Sequence, residues 1–136
     1  MNQRIGEKLI ELARAMKPRK ATGQYFHISS LIRKNRIICV GWNDYTRYHP
    51  SYKFGNYENY KGFTNAYKPS IHSEISSIIR FGEEDLSEMT LVNIRIGNMN
   101  QVALSKPCFN CQRVLKQLNI KRIYYSNNVG EFEEFV

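Results

Sequence analysis

Apolar residues recur at helical spacing in the first stretch of the chain. Ile5, Leu9, Leu12, Ala13 and Met16 share one face of residues 3–16, with Arg4, Lys8, Glu11 and Arg14 on the others. This predicts an amphipathic helix stopped by Pro18. Tyr25 to Ile32 and Arg36 to Gly41 then read as two strands around the polar turn Arg33-Lys34-Asn35, a hairpin. Residues 44–70 hold no sustained period of either kind and are rich in Tyr, Gly, Asn and Pro, so a long loop is expected there. Helical spacing returns over 72–81, with Ile75, Ile78 and Ile79 inward and Gly82 as the stop. Thr90 to Ile96 is a β-branched strand, and Cys108 to Leu118 a second amphipathic helix with Val114, Leu115 and Leu118 inward. Lys121 to Ser126 and Phe132 to Val136 are the last strands, joined by the turn Asn127-Asn128-Val129-Gly130.

That last connection fixes a direction. About four turn residues cannot carry the crossover that a parallel pair needs, so the final two strands should be antiparallel. The order helix, two strands, helix, strand, helix, two strands predicts an α/β sandwich: a five-stranded mixed sheet covered by helices. No repeat, low-complexity tract or linker divides the sequence, and 136 residues suit one domain spanning 1–136.

Composition narrows the setting. A hydrophobic fraction of 42% is that of an ordinary globular protein. No apolar run approaches the ~20 residues of a membrane span, and the opening Met1-Asn2-Gln3-Arg4 lacks a secretory stretch, so a cytoplasmic protein with no membrane partner is the expectation. Charge is uneven. Residues 1–43 hold nine Lys or Arg against two Glu, whereas residues 44–136 hold eleven against ten acids. A basic first third attracts phosphate of a nucleotide or nucleic acid, or simply solvates the surface. Three cysteines make no disulfide framework. Cys39 sits in the apolar run Ile37-Ile38-Cys39-Val40 as a small core residue, and Cys108 and Cys111 form a close pair of the kind that binds metal or does redox chemistry.

Two segments carry the chemistry: His72-Ser73-Glu74 and Pro107-Cys108-Phe109-Asn110-Cys111. Either alone is weak. Together, each opening a helix with a strand between, they match the H-x-E…P-C-x-x-C signature of zinc deaminases. The physics agrees with the match. The imidazole of His72 and the thiolates of Cys108 and Cys111 are three ligands, which leaves a fourth tetrahedral position for water, the arrangement of a catalytic Zn2+. Thiolates in a helix's first turn meet free N–H groups and the favourable end of the dipole. Zinc lowers the pKa of its water toward ~7, and Glu74 is within reach to take that proton and return it to a ring nitrogen and leaving ammonia. Pro107 suits a helix start. A closed structural zinc site would need a fourth protein ligand, and no second Cys or His pair is spaced to supply it. His27, His49 and Cys39 would join only by an accident of folding.

These motifs, with Ile37 to Asn43, resemble the cytidine deaminase superfamily from about residue 24 to the end. The resemblance implies the three-layer cytidine deaminase-like sandwich, with helices on both faces of the sheet. Gly41-Trp42-Asn43 is similar to a turn of the deoxycytidylate and tRNA adenosine deaminases, whose Asn binds the substrate. Asn43, together with Ser73, Ser105 and Pro107, is therefore expected to contact substrate. Branch features are mixed. Ser73 stands where Ala is usual, the C-terminal hairpin is similar to free-nucleoside and some editing deaminases, and Asp44-Tyr45 replaces the Asn-x-Glu pattern of the nucleoside enzymes. Ser105-Lys106-Pro107-Cys108 and the short tail are similar to small deaminases of phages and microbes. Family members often build the active site across subunits, so the resemblance is compatible with a homo-oligomer.

Three functions follow as expectations. The first is zinc-dependent hydrolytic deamination of a cytosine nucleoside or nucleotide to the uracil form with release of ammonia, a step of nucleotide metabolism. The second is editing of a base in single-stranded DNA or RNA, motivated by the basic first third and by the loop aromatics Tyr45, Tyr48, Tyr52, Tyr57, Tyr60 and Tyr67, which can stack bases. The third is a catalytically silent zinc-binding module, which would have no need of Glu74.

Overall fold

The computed structural model describes residues 1–17, 26–48 and 70–135. The Tyr-rich stretch from Tyr52 to Tyr67, His49 and the stop at Pro18 lie outside them. Among the described residues the chain runs α1 (Gln3–Met16), β1 (Phe26–Arg33), β2 (Arg36–Trp42), β3 (Asp44–Tyr48), β4 (Ser70–Ile71), α2 (Ser73–Phe81), β5 (Thr90–Ile96), β6 (Val102–Ala103), α3 (Phe109–Gln117), β7 (Arg122–Ser126) and β8 (Phe132–Phe135).

The main sheet has the order β2-β1-β5-β7-β8, with β6 paired to β5. Only the β5–β7 pair is parallel; β2–β1, β1–β5, β5–β6 and β7–β8 are antiparallel. The sheet is thus mixed and its last two strands are antiparallel, as the short turn requires. It has six strands where five are expected from sequence. β1 covers one edge of β5 from Thr90 to Ile96, and β7 covers the other only from Thr90 to Asn93. Val102 and Ala103 fill the remaining length opposite Ile96 and Arg95, a two-residue bridge too short to leave a periodic pattern.

Local chemistry explains the element ends. Asn2 caps α1 by accepting from Arg4 N at 2.8 Å. Lys17 closes it with ψ 126, the extended geometry imposed on a residue before proline. The β1–β2 hairpin turns through Lys34 and Asn35, both with positive φ (50 and 61), and pairs Arg33 with Arg36, the two-residue turn whose twist matches its strands. α2 stops at Gly82 in the left-handed region (φ 75).

Alternation along the strands separates two apolar layers. Ile28, Ile32, Val92, Ile94 and Ile96 pack against Ile5, Leu9 and Ala13 of α1. Leu31, Leu91 and Ile123 point the other way, onto Leu115 of α3 and Ile78 of α2. Helices therefore cover both faces, the three-layer sandwich expected from the resemblance. On the α2 and α3 side the same faces of β1 and β5 turn polar toward one end, at His27 and Ser29 and at Asn93. That end lies at the carboxyl termini of the parallel pair β5 and β7, where open α/β sheets bind ligands.

Residues 44–70 are not wholly loop. Asp44 pairs with Ile71 and Tyr48 with Ser70, so the two ends of the stretch form a separate two-stranded sheet. A bridge of so few residues carries no alternation, and the composition of the segment hides it.

Candidate active site

Two helix starts meet at the polar end of the sheet. His72 is the N-cap of α2, and its carbonyl accepts the first helical bond from Ser76 N at 2.9 Å. Its ring makes no cap and turns instead to the cysteines, with Nδ1 3.7 Å from Cys108 Sγ and 3.3 Å from Cys111 Sγ. Cys108 is the N-cap of α3, and its sulfur accepts from Cys111 N at 3.4 Å. The ligand atoms of His72, Cys108 and Cys111 all lie within 4.8 Å of one another.

These spacings fit zinc. Ligands at ~2.0 Å (nitrogen) and ~2.3 Å (sulfur) from a tetrahedral centre stand about 3.5 Å apart, between the two N···S distances found here. The hydrogen bond from Cys111 is the largest cause lowering the Cys108 thiol, which falls to about 4 against the effect of burial, with His72 lowering it further. The Cys111 thiol is pushed well above its usual value, by the bond to Cys108 first and burial second. The bond to Cys108 likewise raises His72, against burial. A lowered Cys108 thiol beside a raised His72 ring is the pattern of a ligand set whose protons a divalent cation would displace.

Glu74 sits in the first turn of α2 and is 4% exposed. Burial alone would raise its pKa, but the contact with Cys111, the charges of His72 and His27 and the bond from Ser73 together hold it below the usual range. These contacts favour its carboxylate form, the one that takes a proton.

Asn43, His72, Ser73, Glu74, Ser105, Pro107 and Cys108 line one cavity of about 140 Å³, and Cys111, fully buried, lies in the cluster with His72 and Cys108. The structure thus brings together every site residue expected from sequence. Their roles differ in character. The Ser73 side chain is 1% exposed and bonds Ser29 and Glu74. Ser105 is equally buried, its N–H donating to Ser126 O at 2.9 Å and its hydroxyl to Asn93 O at 2.8 Å.

His27, Asn93 and Lys106 also line the cavity and were not anticipated there. A signal for Asn93 existed: it interrupts the apolar run Leu91-Val92-Asn93-Ile94, where a polar side chain must find a partner. Nothing local marks His27, which reaches the cavity through its register opposite Arg95.

Fold, cavity and cluster together define a zinc deaminase type of site, and comparison supports the class. The family described as the cytidine and deoxycytidylate deaminase zinc-binding region matches residues 3–127, so the chain belongs to that family. Among solved structures it is similar to the apo form of a dCMP deaminase from the cyanophage S-TIM5. The two share 20% identity over 93% of this chain and 86% of the other, with a TM-score of 0.52, a likeness of fold. No curated protein matches the chain. No helix among the described residues is long and apolar enough to cross a membrane.

Proposed function

We propose that the protein is a hydrolytic deaminase of the cytosine ring in a free nucleoside or nucleotide, with His72, Cys108 and Cys111 as ligands of Zn2+ and Glu74 as the proton carrier. The observation that carries this reading is the buried Glu74 beside the three-ligand cluster, with Glu74, His72 and Cys108 lining one small cavity. When bound, zinc supplies a water of lowered pKa and polarises the reacting centre.

The chain's own residues do the rest. Glu74 accepts one proton from water and delivers it to the ring nitrogen, then takes the second from the hydroxyl newly bound at C4 and delivers it to the departing amine. The C4–N bond breaks, the water oxygen stays on C4, and ammonia leaves. Asn43, Ser105 and Pro107 line the wall that the base and sugar meet, and the neutral ring of His27 adds a polar edge to it.

Among the described residues, the cations of the basic first third lie away from the cavity. Arg4, Lys8 and Arg14 lie on α1, across the sheet from the cavity. Lys17 Nζ is bound to Gly97 O at 2.7 Å. Arg33, Lys34 and Arg36 surround the hairpin turn at the far end of β1 from His27. None of these cations borders the site, so the basic first third, as far as it is described, builds no groove for phosphates.

The test is ammonia release by zinc-quantified protein from cytidine, deoxycytidine, their monophosphates and a cytosine-containing single strand. Turnover of a monomer that vanishes in Glu74→Gln, with zinc retained, is the expected result. Turnover of the strand alone would move the function to editing, and a fully active Glu74→Gln would remove Glu74 from the mechanism.

A further inference from the structure

Behind Glu74 runs a buried polar chain that the reaction as described does not use. Ser73 Oγ lies 2.8 Å from Glu74 Oε1 and 2.8 Å from Ser29 Oγ. Ser29 Oγ in turn contacts Asn93 Oδ1. Asn93 Nδ2 donates to the Ser105 carbonyl at 3.2 Å. Ser29, Ser73, Asn93 and Ser105 are each at most 1% exposed, so these partners have no competition from bulk water.

Counting hydrogens gives the chain a direction. Asn93 Nδ2 faces a carbonyl, which can only accept, so the amide cannot be flipped and Oδ1 must face Ser29. Ser29 gives its one hydroxyl hydrogen to Oδ1 and meets Ser73 with a lone pair. Ser73 therefore stands between two acceptors, Ser29 and Glu74, with one hydrogen to give. A hydroxyl can donate or accept. Its contact with Glu74 survives whichever of the two carries the hydrogen, so the carboxyl keeps its place through both halves of a proton transfer. The anchor is the sheet itself, because Ser29 and Asn93 are cross-strand partners on β1 and β5.

We propose that Ser73, backed in the core by Ser29 and Asn93, is a positioning residue that fixes the rotamer of the Glu74 carboxyl, giving its hydrogen to the carboxylate, or to Ser29 when the carboxyl is protonated. This rests on Glu74 being the proton carrier. A carboxyl at the end of three rotatable bonds loses rate when its aim wanders, even if substrate and metal still bind.

The experiment compares Ser73→Ala and Ser29→Ala with Ser30→Ala on the best of the four monomer substrates. Ser30 is as buried as Ser29 but faces the α1 side and bonds Cys39 O at 3.2 Å, so its loss loosens the same strand without touching the relay. Ser73→Ala and Ser29→Ala should lower kcat about three- to ten-fold, the scale of one hydrogen bond, with KM and zinc content unchanged. Ser73→Thr, which keeps the hydroxyl, should recover most of the rate, and Ser30→Ala should leave kcat alone. Independently of activity, a crystal structure of Ser29→Ala should show the Glu74 carboxyl rotated or split between rotamers. An unchanged kcat in Ser73→Ala, an unmoved carboxyl, or an equal fall in Ser30→Ala overturns the proposal. If Glu74→Gln is inactive while Ser73→Ala is normal, only the relay fails; if Glu74→Gln is active, the functional reading fails first.

Discussion

Asn43 and His27 hold each other twice: Asn43 Oδ1 accepts from His27 N at 2.9 Å, and the His27 carbonyl accepts from Asn43 N at 3.3 Å. The side-chain oxygen extends the β1–β2 ladder past its last pair, Ile28 with Trp42, and fixes both residues in the cavity wall. Asn43 thus combines a structural acceptor with an amide group in the cavity wall, and two substitutions separate their effects. Asn43→Asp keeps the acceptor and should stay folded, while KM rises about ten-fold or more as the donor is lost. Asn43→Ala should also cost about 1–2 kcal/mol of stability, because the part-buried His27 N–H loses its partner. Urea unfolding and steady-state kinetics on both variants check this. An unchanged KM in both would confine Asn43 to the fold.

Gly41 is where α2 is seated. A Cβ at this position would come within 2.2 Å of Ser77 N and 2.7 Å of Ser76 C, backbone atoms that cannot swing aside. His72 and Glu74 ride on the same helix, so a displacement would carry them away from Cys108 and Cys111. Gly41→Ala is expected to destabilise the protein by at least ~3 kcal/mol and to lower zinc content in whatever folds. Thermal unfolding with metal analysis is the check, and a variant of parental stability and zinc content would show that α2 can shift at little cost.

Much of this arrangement was legible in the sequence, and the exceptions share a cause. Residues 3–16 carry a helical period and residues 90–96 a run rich in β-branched side chains, and both elements have the expected bounds. The site was legible because its chemistry is written in short motifs at helix starts, where residue type and local geometry coincide. Val102–Ala103 and Ser70–Ile71 were not, because a two-residue strand is defined by its partner and not by its own pattern. His27 was missed for the same reason. Its place beside Glu74 follows from the pairing of β1 with β5, a long-range register that no local spacing reveals.

Metal removal should expose one particular thiol. Without zinc, Cys108 is exposed and titrates at about 4, so at pH 6–7 it is a thiolate, the reactive form. Cys111 is buried with its thiol raised, and burial also raises Cys39. Brief iodoacetamide treatment at pH 6.5 should therefore alkylate Cys108 at least about ten-fold faster than the other two after chelation, and far more slowly in the zinc-loaded protein. Peptide mass spectrometry reads this directly. Equal labelling of the three cysteines, or no protection by zinc, would contradict the ligand assignment.

His27 gives the protein an acid limit of its own. Burial is the largest influence on its ring and lowers its pKa; Arg95 and His72 act in the same direction, and Glu74 and Cys108 oppose them. The folded value therefore lies below the ~6.5 of an unfolded chain. More than about one pH unit above 6.5 His27 is neutral in both states and contributes no pH dependence. As the pH falls below 6.5 the unfolded chain takes up the proton first, so stability declines by up to ~1.4 kcal/mol per pH unit for this one proton. The decline stops once the folded pKa is passed. His27→Phe removes the group, so its stability should fall less steeply than the parent's between pH 6.5 and 5. Urea unfolding of both proteins at matched zinc content across pH 8 to 5 measures the difference. Parallel curves would mean that His27 is as easily protonated in the folded protein as in water, and that the cavity beside Glu74 is wetter than its burial implies.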